Sequence, residues 1–260
     1  MQRTTMAAAL AVVLTAVPAL AADDFHWQGR VAQGHALEIK GVNGAILAEG
    51  TSDGLAEVTA IKHAKKSDPS QVKVEVVEHA GGVTICAVYP SRHGAPNLCA
   101  PGEGGRGSTH DNDVQVEFRV KLPAGVRFIG RTVNGAVTAT GIKANAEIST
   151  VNGGIEVDTA RTARAKTVNG GISARLGRAD WSGTLELRTV NGSVAVTLPA
   201  GASADVDAST VNGGIESDFP LAVTGSHRRR LHGTIGSGGR QLDLGTVNGA
   251  ITLHKAAGKS

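Results

Sequence analysis

Thr-Val-Asn-Gly occurs six times in this chain, at residues 132–135, 150–153, 167–170, 189–192, 210–213 and 246–249. A seventh copy, at 41–44, has Gly in place of Thr. A short repeat constrains the fold, because one unit is too small to bury its own apolar side and has to stack on its neighbours. The asparagines Asn134, Asn152, Asn169, Asn191, Asn212 and Asn248 are spaced by 18, 17, 22, 21 and 36 residues. The last interval is twice 18 and reads as a coil that has lost its signature.

Aligned on Asn, the columns repeat. Three residues after it stand Ile46, Val137, Ile155, Ile172, Val194, Ile215 and Ile251, which are expected to point inward. Four before it, at Ile39, Ile148, Leu187 and Leu244, the chain is mostly apolar. Three before it, at Lys40, Arg131, Lys166 and Arg188, it is mostly polar. Alternation with period two is the pattern of half-buried strands. Asn-Gly between two such strands signals a tight hairpin, since both residues accept positive φ, and a series of hairpins would give an antiparallel meander. Matching columns stack best, however, when successive coils lie parallel and in register, about 4.8 Å apart. The expected fold is therefore all-β, a parallel β-solenoid (β-helix) of 17–22-residue coils. Asn43, Asn134, Asn152, Asn169, Asn191, Asn212 and Asn248 would form its corners, with a Gly-, Pro- or Ala-rich stretch such as 199–202 opposite.

The recurring Thr-Val-Asn-Gly-Gly-Ile, the alternating strand at 114–123 and the closing run 246–253 resemble a bacterial adhesin-like domain of unknown function. The resemblance runs from about Leu37 to Leu253. It implies a β-solenoid of the kind found in exported and envelope proteins, similar in style to autotransporter-adhesin heads. It brings no catalytic residues with it.

Residues 1–22 read as a secretory signal peptide: Arg3, an apolar stretch at 6–17, then Ala19-Leu20-Ala21 as a small-x-small cleavage site. Residues 23–123 read as β-rich coils capping the N-terminal end, with a disulfide loop, and 124–260 as the repeat solenoid, the whole of 23–260 making one continuous domain. No second hydrophobic stretch follows the leader, so no transmembrane segment is expected in the mature chain, which would work in the periplasm or outside the cell. Aromatics make up only 3 % of the chain, which suits a thin stack of Val, Ile, Ala and Thr better than a large compact core. A net charge of +3 and an export signal argue against a nucleic-acid partner.

Cys86 and Cys99 are the only cysteines. In an exported protein a disulfide is the leading reading, with free thiols or a redox site as alternatives. The Gly-rich stretch 102–107 spells G-x-G-x-x-G, but loop and strand flank it where a dinucleotide site needs strand and helix. His93, His110, Asp111 and Asp113 lie near the cysteines, with spacings that match no metal signature, and no cofactor is expected. A basic run at 227–232, around Arg228 and Arg230, offers an acidic glycan or lipid headgroup a contact, or is a solvated strand edge. Asn191-Gly192-Ser193 fits a glycosylation sequon but is one repeat corner among seven.

The outward columns are the candidate binding face: Lys40, Arg131, Lys166 and Arg188 in one, and Glu147, Glu186 and Asp207, with Glu38, in the other. They would pair across rungs or present a repeated surface to an extended polymer or another protein. Two functions follow. One is a non-enzymatic envelope protein that binds or scaffolds, with a glycan or an envelope protein as partner. The other is a polysaccharide lyase or hydrolase on a β-helix, which needs paired carboxylates, or a base with a cation, in a cleft. Regular columns without long loops favour the first.

Overall fold

The computed structural model describes residues 24–91, 96–105, 107, 109–227 and 229–257. The leader read at 1–22, His93 and Arg228 lie outside the described residues. The N-terminal part contains β1 (Phe25–Gly29), β2 (Ala36–Lys40), β3 (Ile46–Thr51), β4 (Ala56–His63), β5 (Lys73–His79), β6 (Gly82–Val88) and β7 (Gln115–Pro123). The repeats follow as β8 (Arg127–Arg131), β9 (Val137–Ile142), β10 (Ala146–Ser149), β11 (Ile155–Thr159), β12 (Ala163–Lys166) and β13 (Ile172–Leu176). They continue as β14 (Thr184–Arg188), β15 (Val194–Leu198), β16 (Ala204–Ser209) and β17 (Ile215–Ser217). The chain closes with β18 (Ala222–His227), β19 (Arg230–Ile235), β20 (Gln241–Gly245) and β21 (Ile251–Lys255).

The strands form two sheets. One runs β1-β4-β7-β3-β9-β11-β13-β15-β21-β17, the other β18-β19-β16-β20-β14-β12-β10-β8-β2-β6-β5. In each rung of the repeat the strand before the corner belongs to the second sheet and the strand after it to the first. Rungs pair parallel and in register, so Ile155, Ile172, Val194 and Ile251 align across the first sheet. Ala165, Leu187, Leu244 and Ala208 align across the second. Alternate side chains point inward and make one continuous apolar core. Thin aliphatics fill it. Where a ring enters, at Phe128, the neighbouring strand position is Gly130, whose added Cβ would stand 3.0 Å from that ring. The architecture is all-β with parallel rungs, and the meander reading does not describe the repeats.

Two expectations are corrected. The 36-residue interval holds no degenerate coil. It holds the antiparallel hairpin β18–β19, after which the chain returns and inserts its last rung between two earlier ones. Asn248 thus bridges both Asn191 and Asn212. Strand pairing rewards matching columns whatever their place in the chain, so spacing along the sequence did not reveal the order in space. Residues 23–123, read as β-rich coils, also hold strands that are not stacked as parallel coils. β1, β4 and β7 pair antiparallel, as do β5 and β6. The β5–β6 connection is only Ala80-Gly81, and so short a link permits only antiparallel pairing. Ile215 is a smaller departure: it is only partly buried, because β17 is the end strand of its sheet.

Candidate functional site: the repeat corner and its flanking columns

Each residue of Thr-Val-Asn-Gly has a distinct task. The Thr hydroxyl is buried and donates to the carbonyl of the corner Gly one rung away. Thr150 reaches Gly135 at 2.9 Å, Thr167 reaches Gly153 at 2.9 Å, Thr189 reaches Gly170 at 2.8 Å and Thr246 reaches Gly192 at 2.7 Å. The Asn side chains form an unbroken ladder along the corner. Asn134 Nδ2 donates to Asn43 Oδ1 at 2.8 Å, Asn152 to Asn134 at 2.7 Å, Asn169 to Asn152 at 2.8 Å and Asn191 to Asn169 at 2.8 Å. Asn248 then donates to Asn191, and Asn212 to Asn248, both at 2.7 Å. Asn191, in the apparent sequon, is held in this ladder on both sides.

The Gly answers to a neighbour as well. A Cβ on Gly135, Gly153, Gly192 or Gly249 would run into the corner carbonyl of the next rung. Positive φ on Asn, the feature that suggests hairpin turns, is not used: among the described residues Asp111 is the one non-glycine with positive φ. In the seventh copy, a Cβ at Gly41 would stand 3.0 Å from Thr132 Oγ1, so the first rung takes Gly. The Val of the motif points outward. Val133, Val151, Val168, Val190, Val211 and Val247 are 37–49 % exposed, whereas Val42 is 7 % exposed. The same residue type recurs in every copy of the motif, but nothing along the chain distinguishes an outward Val from the inward aliphatics, so the sequence alone does not mark this row as exposed.

The charged columns lie beside the corner on the second sheet. Lys40 is on β2, Arg131 on β8, Lys166 on β12 and Arg188 on β14; Glu147 is on β10, Glu186 on β14 and Asp207 on β16. Arg131 binds three carboxylates: Nε to Glu38 at 3.2 Å, Nη1 to Glu103 at 2.6 Å and Nη2 to Glu147 at 2.8 Å. Lys166 pairs with Glu186 at 2.6 Å, and Arg188 with Glu186 at 3.1 Å and with Asp243. Asp207 faces His232 at 3.5 Å. Apart from the Arg131–Glu38 pair, whose carboxylate is buried, these are exposed pairs that contribute a few tenths of a kcal/mol each, so they tune the surface more than they hold the fold. Glu38 departs from the expected solvated stripe. It is 2 % exposed, under a loop.

That loop is held by the Cys86–Cys99 disulfide, with the two Cα atoms 5.7 Å apart. It folds over the first two rungs. Glu38 accepts from Thr84 Oγ1 at 2.8 Å and from the amide of Gly102 at 3.0 Å. Lys40 Nζ donates to the carbonyls of Ala100 at 2.6 Å and Gly104 at 2.8 Å. Burial lowers the pKa of Lys40, while the charge of Glu38 pulls it the other way. Between loop and sheet lies a cleft of about 350 Å³ lined by Lys40, Val42, Leu98, Glu103, Arg131 and Val133. The amide of Gly102 thus meets a carboxylate of the chain itself and not a phosphate.

The neighbouring polar residues anchor backbone. The carboxylate of Asp113 accepts from the amides of Ser67, Lys66 and Lys65 at 2.8, 3.0 and 3.2 Å, and these bonds, chiefly that from Ser67, hold its pKa down to about 2. His110 and Asp111 are exposed and 3.5 Å apart. Among the described residues no three His, Cys, Asp or Glu side chains converge on a metal position. The basic run falls on the β18–β19 hairpin, where Arg229 and Arg230 are exposed.

Corner and rungs together define a class: a β-solenoid-like protein whose parallel rungs are keyed by a four-residue corner. Residues 105–254 match Toastrack DUF4097, and the chain belongs to that family. Comparison with curated proteins returns no match. Similar solved structures include a candidate cell adhesion protein from Clostridium sporogenes, at 11 % identity and a TM-score of 0.47, covering 90 % of this chain and 100 % of that one. They also include a candidate adhesin from Bacteroides fragilis, at 10 % identity and a TM-score of 0.36, covering 91 % of this chain and 98 % of that one. No described helix is long and apolar enough to cross a membrane.

Proposed function

We propose that this protein is an exported, non-enzymatic binding or scaffolding module of the cell envelope, working in the periplasm or outside the cell. Residues 23–260 act as one continuous unit, in which 23–123 close the end of the 17–22-residue coils of 124–260. Its binding face is the outer corner of the second sheet, and its partner is a glycan or an envelope protein. The observation that carries this reading is the row of six exposed valines beside the Asn ladder. One exposed Val is ordinary, but six in register, about 4.8 Å apart, make a continuous apolar line of the kind that marks interaction surfaces. Lys40, Arg131, Lys166, Arg188, Glu147, Glu186 and Asp207 flank that line and supply polar selectivity. The disulfide supports an oxidising compartment. A polysaccharide-cleaving site would need available carboxylates in a cleft. In the cleft under the loop, Glu38 and Glu103 are both held by Arg131, which supports the binding reading.

The test uses the full chain and a triple variant, Val151→Ser, Val168→Ser and Val190→Ser, on a glycan array and in envelope pull-downs. The variant is expected to keep its thermal melt and to lose capture by about tenfold or more, a change of roughly 1.4 kcal/mol. Equal capture by the folded variant would remove the valine row from the binding surface.

A further inference from the structure

The second sheet carries the same Lys–Arg pair twice. Lys40 and Arg131 stand opposite each other in register on β2 and β8, and Lys166 and Arg188 do the same on β12 and β14. Two residues beyond each cation comes the corner Val: Val42 and Val133 in the first case, Val168 and Val190 in the second.

The first pair is occupied by the chain itself. A tight turn, closed by Gly104 N donating to Pro101 O at 3.1 Å, sits on top of it. Two main-chain carbonyls of this segment, Ala100 and Gly104, accept from Lys40, and the carboxylate of Glu103 accepts from Arg131 Nη1. The loop also buries Val42.

Among the described residues the second pair carries no such cover. Arg131 uses Nε and Nη2 for Glu38 and Glu147, and Arg188 uses the same two atoms for Glu186 and Asp243. The remaining nitrogen, Nη1, holds Glu103 on Arg131 but meets no carboxylate on Arg188 among the described residues. The side chains of Lys166 and Arg188 are 59 % and 47 % exposed. Beyond Arg188 the next strand places Gly245, where an added Cβ would stand 3.2 Å from Arg188 Cγ and 3.3 Å from its Nη1, so the guanidinium lies close over the backbone.

We propose that the Lys166–Arg188 pair docks an acidic, glycine-flanked turn of a partner protein, in the manner in which Lys40 and Arg131 hold residues 100–105. The inference rests on the binding-module reading above and names the chemistry of its partner. A carboxylate of the partner takes Arg188 Nη1, and main-chain carbonyls take donors of Lys166 that Glu186 leaves over. Val168 and Val190 supply the apolar contact beside them. A peptide fits better than an acidic glycan because the segment seen on the first pair satisfies both cations at once, with two carbonyls and one carboxylate from a single short turn.

The test titrates the full, disulfide-intact chain with the peptide Ala-Pro-Gly-Glu-Gly-Gly. Binding is followed on the Arg188 Nε–H resonance and the methyl groups of Val168 and Val190. Saturable shifts are expected at these positions. They should weaken about tenfold or more, roughly 1.4 kcal/mol, when the peptide carries Gln in place of Glu, and likewise in Lys166→Gln, read at the same resonances, and Arg188→Gln, read at the valine methyls. Arg175→Gln, on the other sheet, should leave them unchanged. Melts of each variant confirm that it is folded. The proposal is overturned by absent shifts, by equal binding of the Gln peptide, or by an oligogalacturonate that moves these resonances where the peptide does not. If the peptide fails while capture in the envelope pull-down still depends on the valines, the acidic partner is wrong and the binding module stands; if both fail, both fall.

Discussion

A methyl group added at Gly153 would strike the carbonyl of Gly135 in the adjacent rung, whereas one added at Gly201, in the opposite corner, would meet open space. Gly153→Ala should therefore cost about 2–3 kcal/mol and Gly201→Ala less than about 0.5 kcal/mol, as read from denaturant melts. The Asn ladder gives a second expectation. Asn152, Asn169 and Asn191 are consecutive in it, each giving one hydrogen bond and taking another. Changing all three to Gly removes these bonds at about 1 kcal/mol each. Changing them to Asp also sets carboxylates about 4.8 Å apart, so the Asp triple should be the less stable at about pH 7. The gap should narrow near about pH 3, where carboxylates protonate. Urea melts of both triples at the two pH values decide this. The inward columns were readable because burial with period two leaves a mark along the chain. The tasks of Thr and Gly were not, since each answers to a residue at least 14 positions away that only stacking brings close.

Among the elements, the disulfide loop and the Asp113 anchor respond to different conditions. Replacing Cys86 and Cys99 by Ala frees a loop closed over a separation of 13 residues and should cost about 3 kcal/mol in the chain-entropy model. It should also release Lys40 from Ala100 and Gly104, so that the lysine acylates faster in a mass-spectrometric labelling assay. Asp113 gives a pH effect of defined sign. Its pKa falls from an unfolded value of about 3.9 to about 2, so its hold on residues 65–67 is present above about pH 4 and is lost as the pH falls through about 2. Protection of the Lys66 and Ser67 amides, taken relative to their intrinsic exchange rates at each pH, should fall across that window in the native chain, and Asp113→Asn should remove this change in protection. The cysteine pair was legible from its count together with the expected export. The loop's burial of Glu38 was not, because nothing in the Gly-rich stretch 102–107 announces which strand it covers.

At the scale of the molecule, the stack does not follow the order of the chain. β16 pairs with β19 and β20, and β17 pairs with β21, so the rung at 204–217 is seated only through strands that come after it. A chain ending at residue 218 should therefore lose amide protection over 204–217 while keeping it over 137–176. In a solenoid stacked in chain order, the same cut would leave 204–217 protected. The motif copies marked where the rungs turn, but their spacing suggested one coil too many and could not show that the last rung made slips in before the one preceding it.

The ladder also has a direction. Each donation in it runs the same way, from an Asn amide to the Asn oxygen of the rung on the Asn43 side. Asn43 only receives and Asn212 only gives. The amide dipoles therefore add along the axis, much as peptide dipoles do along a helix. A row of uncharged side chains thus makes the ladder electrically unlike at its two ends, with an amide nitrogen that the ladder leaves over at Asn43 and an oxygen that it leaves over at Asn212.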